Sequence, residues 1–249
     1  MQIQLIRNAT LRITYGGHVF LTDPYFAPKH SQEPLIGKSR NPVVDLPFPV
    51  ETILAGIEMA LISHLHPDHF DSLAQALLPK NTRIYCQPGD EQLIKEAGFL
   101  NVATVDEGVD WNGVSIRRTP GQHGNEAWAA QMGDVSGFLL RTENGPTIYW
   151  AGDTIWYEPV KNAILKWEPD IIITHSSGAS FEAGNPIIMD AQQTVELCRA
   201  APRSTVIAIH METFDFDTVS RKDLRAMAEA EGIGANWLRI SADGEILEF

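Results

Sequence analysis

From residue 59 to residue 240 the chain alternates apolar runs of strand length with segments of helical character, and this alternation constrains the fold more than any other feature. Strand-like runs are read at 59–63, 83–87, 114–118, 137–141, 147–150, 170–174, 205–209 and 237–240, with helix-like segments at 72–78, 90–97, 159–167, 191–201 and 221–231. Ser220 with Asp223 three residues on resembles a capping box, and Gly232 stands where that helix would stop. Ahead of this region, 2–7, 11–15 and 18–22 read as short strands, the last two joined by the two-residue turn Gly16-Gly17. Sheets with helices packed outside them are how such a pattern buries its apolar faces. A chain of 249 residues, 44% of them hydrophobic, can build a sizeable core. The expected organisation is α/β, with one domain over 1–249.

Residues 24–50 break the pattern. They carry six prolines, at 24, 28, 34, 42, 47 and 49, with little periodicity. Connections of that length are usually functional, so the segment is expected to be a lid. Its His30, Lys38 and Arg40 either recognise an anionic group or are solvated loop charges. The 19 Lys and Arg against 32 Asp and Glu leave a formal net charge of −13. Non-specific affinity for nucleic acid comes largely from cations on phosphates, so extended DNA or RNA is not an expected partner. Cys86 and Cys198 are too few for a disulfide framework and read as small buried hydrophobes. Residues 1–7 lack the basic stretch and apolar core of a signal peptide, and no apolar run reaches the ~18 residues of a membrane span. The expectation is a cytoplasmic protein without a membrane span, its oligomeric state left open.

The chemistry begins at Ser63-His64-Leu65-His66-Pro67-Asp68-His69, where the first strongly apolar strand ends. His64 and His66 are two apart, so in an extended segment their rings point the same way and can grip one metal. Asp68 and His69 can turn toward a second. Three more candidates follow apolar runs: His123 in Gly121-Gln122-His123-Gly124, Asp153 in Ala151-Gly152-Asp153-Thr154, and His210 after 205–209. Each alone is weak, but together they meet the needs of two metals. His64, His66 and His123 make one three-nitrogen site, Asp68, His69 and His210 another, and Asp153 has two oxygens with which to bridge them.

With these motifs the chain resembles the metallo-β-lactamase fold superfamily of metal-dependent hydrolases. The resemblance runs from Thr22-Asp23-Pro24 through HxHxDH, 121–124 and Gly152-Asp153-Thr154 to His210. Within it the chain looks most like the small single-domain branch that includes ascorbate phosphate lactonase. The resemblance implies an αββα four-layer sandwich, two mixed β-sheets flanked by helices, with a dinuclear site at one edge and usually zinc. It also implies that Asp23 orients a ligand histidine. His66 stands where related di-iron oxygen reductases place Glu, which favours zinc hydrolysis over redox chemistry. Manganese or iron would also suit imidazole and carboxylate ligands.

A zinc-bound water loses its proton near neutral pH, so the expected activity is hydrolysis of a small-molecule ester, lactone or similar bond, with Asp68 holding or relaying the proton. A phosphodiesterase acting on a small diester is the alternative, and a non-catalytic metal-binding protein ranks below both. His175, closing the run 170–174, is assigned a catalytic role in contacting substrate or stabilising the oxyanion. The competing role for His175 is structural. Asp190, with Gln193 three residues on, reads as a helix N-cap. Trp128, Trp150, Trp156 and Tyr157 flank the site in sequence and either wall a pocket or belong to the core.

Overall fold

The computed structural model describes every residue except Ala183. Strands β1 (Gln2–Arg7), β2 (Thr10–Tyr15) and β3 (His18–Thr22) run antiparallel, and β4 (Met59–Ile62), β5 (Arg83–Cys86) and β6 (Asn101–Thr104) continue the sheet in parallel from β3. The second sheet begins with β7 (Val109–Trp111), β8 (Val114–Pro120) and β9 (Ser136–Arg141), paired antiparallel. Strand β10 (Ile148–Trp150) is antiparallel to β9, and β11 (Ile171–His175), β12 (Thr205–Ile209) and β13 (Leu238–Ile240) follow it in parallel. The last strand, β14 (Ile246–Glu248), returns to pair with β1, so among the described residues each sheet has seven strands.

Alternation along the central strands decides the layering, because successive side chains point to opposite faces. Met59 and Leu61 of β4 join Ile171 and Ile173 of β11 and Ile207 and Ile209 of β12 in a core between the two sheets. Ala60 and Ile62 point the other way, onto α1 (Val50–Leu54), α2 (Ser72–Leu77) and α3 (Glu91–Glu96). Ile172, Val206 and Ala208 likewise meet α5 (Glu158–Trp167), α6 (Ala191–Ala200) and α7 (Arg221–Ala230), the numbering leaving α4 for Glu126–Met132. Burial on both faces is why these strands read as continuous apolar runs. The result is the expected αββα sandwich. Asp190 and Ser220 cap α6 and α7 through the backbone N–H groups of Gln193 and Asp223.

Five elements went unread in the sequence, and each lacks the apolar signal that reading depends on. Strands β6 and β14 have no buried residue, β7 is three residues long, α4 buries none of its side chains and α1 buries only Ile53. The first part of the 24–50 segment is packed rather than loose. Arg7, wholly buried, donates to the carbonyls of Tyr25, Ala27 and Val44 and so ties both ends of the loop to β1. Exposure is concentrated between residues 28 and 40. Among the described residues no helix is long and apolar enough to cross a membrane.

Candidate metal centre

Strand direction gathers the candidate residues at one edge. Strands β3 and β4 are parallel to each other, as are β8, β10, β11 and β12, and the residues after their carboxyl ends are Asp23, His64, His123, Asp153, His175 and His210. Gly152 makes the close turn that presents Asp153: its φ is +69°, and a Cβ there would stand 2.5 Å from the Ser136 carbonyl oxygen. His210 itself takes φ +59°, a conformation uncommon outside glycine, and its backbone N–H is held by the Asn8 carbonyl at 3.0 Å.

Hydrogen bonds at the far side of four of the rings, those of His64, His66, His69 and His123, fix which nitrogen faces inward unprotonated when the ring is neutral, whereas His210 Nδ1 is buried without a partner. Asp23, fully buried, accepts from Ser63 N (2.7 Å), Ser63 Oγ (2.6 Å) and His69 Nδ1 (2.7 Å). Because the Ser63 hydroxyl proton goes to Asp23, its oxygen must accept from His64 Nδ1 at 2.9 Å. His123 Nδ1 donates to the Ile187 carbonyl (2.7 Å), and His66 Nε2 to the Met132 carbonyl (3.1 Å). In the neutral rings the inward nitrogens, His64 Nε2, His66 Nδ1, His69 Nε2 and His123 Nε2, therefore carry the lone pairs. His64 Nε2 and His66 Nδ1 stand 2.9 Å apart, lone pair toward lone pair. His69 Nε2 is buried without a hydrogen-bond partner. Such an arrangement is repulsive unless a cation lies between the nitrogens, and it is the donor set a soft-to-borderline divalent metal requires.

The described residues form two groups able to hold an ion, His64, His66 and His123 in one and His69, Asp153, His175 and His210 in the other. Asp153 Oδ2 lies 3.2 Å from His69 Nε2, 3.3 Å from His123 Nε2 and 3.9 Å from His64 Nε2, spanning both groups. Asp68, the most accessible acid here at 21%, has Oδ2 3.2 Å from His210 Nε2 and 3.4 Å from His69 Nε2. The structure thus brings together all seven residues singled out by the sequence. Burial would raise the Asp153 and Asp68 carboxyls, but His69 and His210 outweigh it and hold both well below the usual carboxylate range. Burial would lower His69, yet Asp153, Asp68 and Asp23 lift it well above its ordinary value. Three carboxylates converging on one imidazole demand positive charge there. For His64 and His123 burial outweighs the Asp153 carboxylate beside them and pushes both down.

His175 departs from the catalytic role expected of it. It is wholly buried and does not line the cavity beside the cluster. Its Nε2 accepts from Trp150 Nε1 (3.0 Å) and its Nδ1 meets Asp153 Oδ1 (2.5 Å), while burial lowers it to about 4. Both ring nitrogens are committed, so the side chain cannot reach a substrate. The anchors Ser63, Trp150 and the carbonyls of Met132 and Ile187 went unread. Ser63 adjoins the motif and was legible in principle, whereas the others are set by chain packing alone.

The cluster floors a cavity of about 320 Å³. His66, Asp68, His123, Asp153 and His210 face it from below, and Leu35, Trp128, Met132, Phe181, Ile187 and Phe216 wall it. Among the described residues no Lys or Arg lines it. Of the 24–50 segment only Leu35 reaches it, so His30, Lys38 and Arg40 do not serve the site. Arg40 instead bonds Glu33 and the carbonyls of His30 and Ser31. Of the four aromatic candidates Trp128 alone lines the cavity, Trp150 is core, and Trp156 and Tyr157 pack against the helix-covered face of the second sheet.

Residues 18–211 match the family model described as "Beta-lactamase superfamily domain". The chain belongs to this family. Among β-lactamase superfamily members, it is 33% identical, over the whole length of both chains, to UPF0173 protein YddR of Bacillus subtilis (strain 168). A crystal structure of a possible metal-dependent hydrolase from Veillonella parvula DSM 2008 superposes with a TM-score of 0.95 at 32% identity, covering 99% of this chain and 98% of that one. An isothiocyanate hydrolase from Delia radicum gut bacteria superposes with a TM-score of 0.93 at 34% identity, covering 100% and 99%. The fold is the metallo-β-lactamase fold, and the protein is a metal-dependent hydrolase of that superfamily.

Proposed function

We propose that this hydrolase holds two divalent cations, zinc foremost, and cleaves a small uncharged molecule at an electrophilic carbon, an ester or lactone. His64, His66 and His123 would hold one cation, Asp68, His69 and His210 the other, with Asp153 between them. When bound, such cations supply hydroxide near neutral pH and stabilise a developing oxyanion. The chain's own part is to fix geometry and exclude water. The far-side hydrogen bonds to Asp23, Ser63, Met132 and Ile187 keep the ring nitrogens aimed inward, and the apolar walls hold the substrate against the floor. Asp68, partly exposed at the cavity floor, is the group placed to carry a proton between floor and leaving group.

The observation that carries the substrate reading is the wall. Beyond the cations at the floor, a charged phosphodiester moving out of water gains from cationic side chains that replace its solvation, and apolar residues stand where they would be. The wall supports an uncharged acyl compound over a phosphodiester. A second reading is an isothiocyanate, whose central carbon is also electrophilic and uncharged. The similarity to an isothiocyanate hydrolase at 34% identity over the whole chain favours it.

Metal content of the purified protein, coupled to turnover of aryl esters, lactones, isothiocyanates and bis-aryl phosphates, tests the proposal. Native, chelated and Asp153→Ala samples are compared. About two zinc per chain is expected, with turnover of an uncharged substrate abolished by chelation and by the substitution. Turnover of the phosphates alone would overturn the substrate reading, and less than one metal per chain, unrecovered on adding zinc, manganese or iron, would overturn the site.

A further inference from the structure

The two oxygens of Asp153 are not equivalent. Oδ2 lies 3.2–3.9 Å from the inward nitrogens of His69, His123 and His64. Oδ1 is 2.5 Å from His175 Nδ1 and 3.9 Å from His210 Nε2. Which atom carries the proton in the Oδ1 contact follows from one residue further out. An indole N–H can only donate, so the 3.0 Å bond from Trp150 Nε1 requires a lone pair on His175 Nε2. The proton of the neutral ring must then sit on Nδ1, where it is donated to Asp153 Oδ1. Trp150 cannot easily turn away: it is fully buried in the core between the sheets and stacked on Phe138 at 5.8 Å. The backbone adds rigidity, because β10 and β11, which carry Trp150 and His175, are hydrogen-bonded neighbours.

We propose that His175 is a positioning residue which, with its tautomer set by Trp150, takes up Oδ1 of Asp153 and keeps Oδ2 turned toward His69 and His123, one from each half of the metal centre. The inference rests on the dinuclear reading above and revises the expectation that Asp153 offers one oxygen to each metal. It also separates His175 from the ligands, although its Nδ1 falls among them by distance. A nitrogen that carries a proton has no lone pair to give. A carboxylate left free at Oδ1 could rotate and share its oxygens differently, so the bond selects one binding mode from several. Outer partners of this kind typically contribute 10–100-fold in metal affinity.

Titration of the metal-free protein with Co2+, followed by stoichiometry, affinity and the visible ligand-field bands, tests this without reference to turnover. The unsubstituted protein is expected to bind two Co2+. His175→Ala is expected to weaken the binding about 10–100-fold and to change the band positions. In His175→Asn an amide N–H can stand near the place of Nδ1 and should restore affinity to within a few-fold, with the original bands. Trp150→Phe removes the indole N–H together with the five-membered ring that carries it, leaving His175 Nε2 without its donor, and a loss of about 3–10-fold, within the scale of outer-partner effects, is expected. Should His175→Ala fail to fold, as judged by circular dichroism of the metal-free form, Trp150→Phe decides the matter. Two Co2+ bound by these variants with unchanged affinity and bands would overturn the positioning role alone. An Asn variant as impaired as Ala would instead make His175 a ligand. Fewer than one Co2+ bound by the unsubstituted protein would overturn the dinuclear reading itself.

Discussion

His64 Nε2 and His66 Nδ1 face each other across 2.9 Å, and neither carries a proton toward the other. The Ser63 hydroxyl and the Met132 carbonyl take those protons on the far sides of the rings. Two neutral rings aimed at each other in this way favour a cation between them, and metal should bind the folded chain far better than the unfolded one. At free metal one hundred times Kd the gain is about 2.7 kcal/mol, which for a chain of this size raises Tm by about 5–10 °C. Calorimetry of chelator-stripped protein before and after adding Zn2+ reads this directly. An unchanged Tm with zinc, manganese and iron alike would count against a metal centre here.

Asp23 serves two histidines at once, directly through His69 Nδ1 and through Ser63 to His64. Asp23→Asn would replace one accepting oxygen with an N–H pair in a fully buried position, leaving at least one donor opposed to another. A 10–100-fold loss of metal affinity is expected, with about 2 kcal/mol of stability lost besides. Competition with a coloured chelator measures the first and denaturant unfolding of the metal-free form the second. If affinity is unaltered, the orientation assigned to Asp23 is wrong.

The parts of this centre that could be read in sequence are those whose residue type and position both carry information. HxHxDH fixes His64, His66, Asp68 and His69 by spacing, and His123, Asp153 and His210 each close or follow a run apolar enough to be recognised. His175 closes such a run too, and that is why position alone misassigned it. Only the fold shows that Trp150 on the neighbouring strand claims its Nε2. The Met132 and Ile187 carbonyls could not be foreseen, because every residue has a carbonyl and long-range packing decides which one meets a ring. The apolar cavity was equally hidden, since Leu35, Trp128, Phe181 and Phe216 come from four separate segments.

Asp90, which is not among the residues of the metal centre, gives a separate pH effect. Burial, reinforced by Glu91 and Asp134 against a bond from Gln87, pushes its carboxyl up to about 6, and its Oδ2 has no hydrogen-bond partner. A carboxyl whose folded value exceeds its unfolded one binds the proton more tightly when folded. Its contribution is therefore most favourable below about 4, declines as pH rises toward 6, and is a constant penalty above that. Asp90→Asn should remove the penalty, raising stability at pH 7.5 by on the order of 1 kcal/mol once partial exposure is allowed for, with no gain at pH 4. Urea unfolding at the two pH values checks the sign. A gain of equal size at both would point to a cause other than titration.

Part of the 24–50 segment is fastened to the chain that follows β12. Asp215, five residues beyond His210, accepts from Ser39 N (2.8 Å) and Asn41 Nδ2 (3.1 Å), and its own N–H is held by Asn41 Oδ1 (3.1 Å). Gly37 lies so close to this carboxylate that a Cβ would fall within it. We propose that these contacts seat the lid, with Leu35 as the residue it lowers onto the cavity. Asp215→Ala removes the acceptor and Gly37→Ala displaces it by bulk, so two unlike changes should have one effect. Leu35 is 67% exposed, so losing its packing is worth about 0.5–1 kcal/mol, and KM for an apolar substrate should rise about twofold to fivefold with kcat little altered, while amides of residues 37–41 exchange faster. Faster exchange with an unchanged KM would leave Asp215 a loop anchor only, and the lid role would be withdrawn.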